Sequence, residues 1–127
     1  MDDVITRLRA SKRRVEDEQY HEGEKAGREW AESDAEADEL RNLDRWVSRL
    51  GHELDTVFVD DTWGSAYSRA EQVAFVVWPE HDGDRRVAET FWEERLGDDT
   101  SAADNPHFVR GFVDGALDLW HKVKDQL

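Results

Sequence analysis

The residues of this chain best suited to chemistry are its five histidines, His21, His52, His81, His107 and His121, set among 31 aspartates and glutamates. Imidazole and carboxylate are the common ligands of zinc and iron, so spacing is the first test. No His-Glu-x-x-His occurs, and His21-Glu22 has no second histidine four residues on. A di-iron bundle needs Glu-x-x-His on two helices. Glu18-Gln-Tyr-His21 supplies it once. The other histidines follow Arg49, Trp78, Asp104 and Asp118 at that spacing, so Asp104-Asn-Pro-His107 and Asp118-Leu-Trp-His121 are only looser aspartate versions. The carboxylate pairs Glu29/Glu32 and Glu89/Glu93 lie one turn apart, as expected wherever carboxylates are abundant. Glu18 and His21 are retained as metal candidates. The plainer reading, surface histidines and no cofactor, is preferred.

Nucleophilic and phosphate chemistry find less support. The serines Ser11, Ser33, Ser48, Ser65, Ser68 and Ser101 include no Gly-x-Ser-x-Gly elbow, and Trp63-Gly64-Ser65 lacks the rest of one. There is no glycine-rich phosphate loop. The absence of cysteine excludes disulfides, thiol catalysis and thiolate metal sites. Six tryptophans, Trp30, Trp46, Trp63, Trp78, Trp92 and Trp120, could line a ligand pocket. At helical spacing they read first as core, with Trp63 and Trp78, at the edges of elements, as the candidates for exposure and hence for a partner surface.

The elements that position these groups are helices, and one pattern among them occurs twice. Tyr20-x2-Gly23-x3-Gly27 near the N-terminus, followed by Trp30, matches Phe108-x2-Gly111-x3-Gly115 near the C-terminus, followed by Trp120. Glycines four apart share a helix face. Each costs about 1 kcal/mol of helix stability relative to alanine, so a compensating close approach of another backbone is expected. The first and last helices are therefore expected to cross at Gly23/Gly27 and Gly111/Gly115. The alternative is that the same glycines meet across the two-fold axis of a homodimer.

Between these helices the apolar period defines the rest. Residues 3–32 read as one long helix or two end to end, with a sparse stripe of Val4, Leu8 and Val15 and a first dozen residues that bury little. Ser33 or Asp34 is the expected cap of a second helix carrying Leu40, Leu43, Val47, Leu50 and Leu54, widened by Trp46 and ended at Gly51. Residues 52–62, with Val57, Phe58 and Val59, read as an irregular connection. Asp61 or Thr62 is the expected cap of a third helix over Ala66, Ala70, Val73, Ala74 and Val77. Its run 73–78 would also suit a buried strand, but no patterned partner strand exists, and helix is preferred. Pro79 begins a polar turn through Gly83. Asp82 or Asp84 starts a fourth helix with Val87, Ala88, Phe91, Trp92 and Leu96, ended by Gly97. After a polar loop over 98–104, Asn105-Pro106 starts a last helix whose face is read as Phe108, Phe112, Ala116, Leu119, Val123 and Leu127, flanked by Trp120. The fold expected is a single all-α bundle of four to five helices over residues 15–127.

Composition bounds the partners. The net charge is −14, and the surface it implies repels nucleic acid and anionic membranes. Residues 1–14 are the exception: five basic side chains against Asp2 and Asp3 give a local +3, leaving −17 on the remainder. This basic segment is expected to be a solvated, frayed end. No apolar run is long enough for a transmembrane helix, and a signal peptide's apolar centre is missing, so a cytoplasmic protein is expected. Excess arginine over lysine suggests a GC-rich or salt-adapted bacterial source.

The stretch from Tyr20 to Leu43 resembles a pattern in small, uncharacterised bacterial all-α proteins, in which an aromatic, two spaced glycines and Trp-Ala precede a leucine-rich helix. Phe108 to Ala116 resembles their closing helix. The resemblance implies a small cytoplasmic α-helical protein and brings no activity with it.

The functional expectation is a non-enzymatic protein-interaction or structural module, with a protein partner or homo-oligomer. The alternatives are a small-molecule or metal-binding bundle and, more weakly, a nucleic-acid role as a DNA mimic or through the basic arm.

Overall fold

A computed structural model describes residues 2–50, 69–97 and 100–127. Among them the chain forms five α-helices and no strand: α1 (Asp2–Ser33), α2 (Ala37–Leu50), α3 (Arg69–Val77), α4 (Arg85–Leu96) and α5 (Pro106–Val123). Short 3₁₀ turns span Pro79–His81, Ser101–Asp104 and Lys124–Gln126. The expectations for Gly51, Leu54, Val57–Val59, Asp61, Thr62, Trp63 and Ala66 lie outside the described residues.

Capping fixes the helix ends. Asp84 accepts from the backbone N–H groups of Arg86 and Val87, and Gly97 closes α4 with φ 78°. Asn105 caps α5 through the His107 N–H, with Pro106 in the first turn, where its missing N–H is harmless. The start of α2 differs from expectation. Ser33 is still inside α1, and the turn is only residues 34–36. Glu36 is the cap residue: its carbonyl accepts from Leu40 N–H, and the Glu39 carboxylate reaches back to Glu36 N–H at 2.8 Å, as in half of a capping box.

The long apolar run over 73–78 is helical up to Val77, and α3 buries Val73, Ala74, Phe75 and Val77 against its neighbours. The central element is α5, which packs against α1, α2 and α3. That position explains a second departure. Val109, Val113 and Leu117 are buried as well as Phe108, Phe112 and Ala116, so α5 is apolar on two faces. Leu119 and Val123 are only partly buried, and Leu127 is 81% exposed because the chain turns off the helix after Val123.

The core is aromatic at its centre. Trp30 stacks on Phe112 at 5.4 Å between centroids and meets Phe91 edge-on at 5.6 Å. Trp92 lies 4.8 Å from Phe112 and donates its indole N–H to the Ala70 carbonyl at 2.8 Å. Trp46 and Trp120 are also buried. Such ring pairs add about 0.5–1.5 kcal/mol each beyond the area they remove from water.

Candidate functional site

The duplicated glycine pattern is where the chain ends meet. A Cβ built on Gly23 would fall against the Phe108 carbonyl and 2.9 Å from the Phe112 nitrogen; one on Gly27 would strike the Phe112 backbone. Reciprocally, a Cβ on Gly111 would strike the Tyr20 carbonyl, and one on Gly115 the Glu24 carbonyl. Tyr20 opposes Gly111 and Glu24 opposes Gly115, so α1 and α5 run side by side in the same direction. Each copy of the pattern offers two carbonyls four residues apart to the two glycines of the other. This geometry suits Cα–H···O contacts, worth about 0.5–1 kcal/mol each. The four glycines are consumed inside the chain, which leaves no room at them for a second protomer.

Polar pairs frame the crossing. Tyr20 donates its hydroxyl to Asp114 at 2.6 Å, and Arg110 pairs with the same carboxylate at 3.2 Å. Burial first, then the hydrogen bond to Asp114, raises the Tyr20 pKa well above its ordinary value of 10.0. Asp118 binds Arg28 at 2.8 Å and Lys122 at 3.3 Å, and its pKa is held low mainly by Lys122. His107 lies 3.7 Å from Glu16, and His121 3.0 Å from Asp44.

The metal candidates do not converge. His21 binds Glu24 at 2.8 Å across one turn, and both His21 and Glu18 are exposed. Among the described residues no group of three or more histidines and carboxylates could hold a metal ion. Trp78 is only partly exposed: its indole N–H is donated to Glu39 and its ring lies 5.1 Å from Phe91.

Two features go beyond the sequence reading, the first by extending the expectation that the start of the chain buries little, the second by escaping it. The first is the outer part of α1. Residues 3–10 are all exposed, including Val4 at 44%, Ile5 at 43% and Leu8 at 57%. The first buried positions of α1 among the described residues are Gly23, Gly27 and Trp30. The helix is about 48 Å long against about 27 Å for α5. Because the two run parallel in the observed register, some 14 residues of α1 extend past the start of α5 as an arm.

The second is Arg95. Its side chain is 8% exposed, and its guanidinium carbon lies 4.2 Å from the Phe91 ring centre, 5.5 Å from Trp30 and 5.9 Å from Trp78. Its Nη1 donates to the Phe91 carbonyl at 2.7 Å and to Glu94 at 2.9 Å. Its Nε, and the indole N–H of Trp30, are buried without an acceptor. An unmet buried donor costs about 1–3 kcal/mol, so two in one box call for an explanation. Arg95 also lines an open cleft of about 930 Å³ with Trp78, Asn42 and charged residues of α2. The sequence signal was faint: Arg95 sits four residues after Phe91, on the edge of α4's apolar face.

Comparison with protein-family models, with curated proteins and with solved structures finds no match.

Proposed function

We propose that the protein is a non-enzymatic protein-interaction module whose contact surface is the arm of α1. The observation that carries this reading is the exposure of Val4, Ile5 and Leu8 on a helix that continues unbroken into the bundle. A helix of about 14 residues is marginal alone, but this one is extended from a packed helix and so is nucleated already. Its exposed apolar groups are flanked by Arg7 and Arg9, which suits a partner with an apolar groove rimmed by carboxylates. The interior half of α1 is occupied by α5, so the arm is the part left to make contacts.

No described helix is long and apolar enough to cross a membrane, in keeping with a protein partner rather than a membrane span. The bacterial, cytoplasmic setting suggested by the resemblance of Tyr20–Leu43 belongs to the same proposal.

The test compares the full chain with its Leu8→Asp variant as bait in source-cell lysate, at low and moderate salt. A stoichiometric partner held by the wild type at moderate salt and lost by Leu8→Asp is the expected result. Equal retention by both baits removes the arm from the reading. Capture only at low salt would mean unspecific attraction to charge.

A further inference from the structure

Independently of the arm, the chemistry of the Arg95 cleft is that of a binding site. The cleft lies where the α1–α2 turn, α2, the end of α3 and the last turns of α4 meet. Its aromatic wall is Trp78, fixed by the bond from its indole N–H to Glu39. Its floor carries Arg95, whose side chain is nine-tenths buried; the Arg95 Nε and the Trp30 Nε1 are closed to solvent and lie behind the surface that lines the cleft. The little of Arg95 that remains exposed opens onto the cleft. Arg45, on α2, lines the same cleft and has no carboxylate partner among the described residues. Two arginines, Arg95 beside Glu94 and the exposed Arg45, therefore line one space.

A bare anion does not suit that space. Asp34, Glu36 and Glu80 also line it, and the carboxylates of the lining outnumber its arginines. A bare cation would meet Arg45 and Arg95. The arrangement fits a ligand with both charges. We propose that this cleft binds a small amino-acid-like zwitterion, its carboxylate on Arg95 and Arg45, its ammonium group against the acidic rim, and its side chain along the Trp78 ring. Guanidinium–carboxylate pairing supplies direction, and the partial enclosure of Arg95 strengthens it relative to a pair in open water.

The probes are L-leucine, L-glutamate and L-lysine, with acetate and methylammonium as half-ligands, each titrated into the full chain and followed by saturation-transfer NMR and calorimetry. At least one amino acid is expected to bind with a Kd of about 1 mM or tighter, and both half-ligands at least ~10-fold more weakly. Arg45→Ala, at an exposed position, is expected to keep the wild-type melting temperature and weaken binding several-fold; Arg95→Gln is expected to abolish it. Failure of all three amino acids to bind at about 10 mM overturns the proposal. So does acetate binding as tightly as the amino acids, or Arg45→Ala binding like the wild type. Leu8→Asp is expected to bind the same amino acid unchanged, which separates this site from the arm.

Discussion

The two halves of α1 belong to one helix and obey opposite rules. From Tyr20 to Trp30 the helix has given up side chains: two glycines bring its backbone against that of α5, and Trp30 enters the aromatic core. From Asp3 to Ala10 it keeps large apolar side chains and exposes them. A helix selected only for folding would have its bulky residues inside and its polar ones outside along its whole length. The reversal separates the two: the inner half holds the fold together, and the outer half, exposed over residues 3–10, is the surface proposed to bind a partner.

Substitutions can break this contrast, and the largest effect belongs to the crossing. Gly27→Leu or Gly111→Leu places a side chain where a backbone carbonyl lies, and is expected to cost about 4 kcal/mol or more in chemical denaturation. An unchanged melting temperature for either would refute the close crossing. Next comes Trp30→Ala, expected to cost about 3–4 kcal/mol through the cavity left among Phe91 and Phe112.

Tyr20→Phe sharpens the boundary between the halves. It removes the bond to Asp114 at an expected cost of about 1 kcal/mol near neutral pH. It also changes the pH dependence. The folded protein holds the Tyr20 proton above the ordinary pKa of 10.0, whereas the unfolded chain releases it there. This contribution is complete below that pH and is lost as pH rises through the folded value. Stability of the wild type should therefore fall more steeply above pH 10 than that of Tyr20→Phe; parallel curves would show that the hydroxyl is not held in the folded state. The smallest effect on stability is expected in the arm, where Ile5→Asp or Leu8→Asp should stay within about 0.5 kcal/mol of the wild type. A large loss there would mean that the arm is part of the core.

The contrast was half legible in the sequence. The glycine pairs were readable because a four-residue glycine spacing has a cost that only close packing offsets, and the Asp84, Gly97 and Asn105-Pro106 signals marked helix ends through local chemistry. The two-sided burial of α5 was not readable, since a single apolar stripe was the simplest fit to Phe108, Phe112 and Ala116, and only the third dimension shows that other helices cover Val109 and Val113. Arg95 was hidden for a related reason. An arginine in a charged helix reads as solvated until the rings of Trp30, Trp78 and Phe91, from three separate parts of the chain, are seen around it. The arm's sparse stripe was visible, but not that α5 begins too late in the register to cover it.

Amide hydrogen exchange along α1 in the free protein tests the division most directly. The account predicts strong protection from about Tyr20 to Trp30, near the limit set by global unfolding, and rapid exchange over residues 3–10, with the step falling between. Uniform protection from Val4 to Trp30 would contradict it, because the arm would then already be packed in the protein by itself.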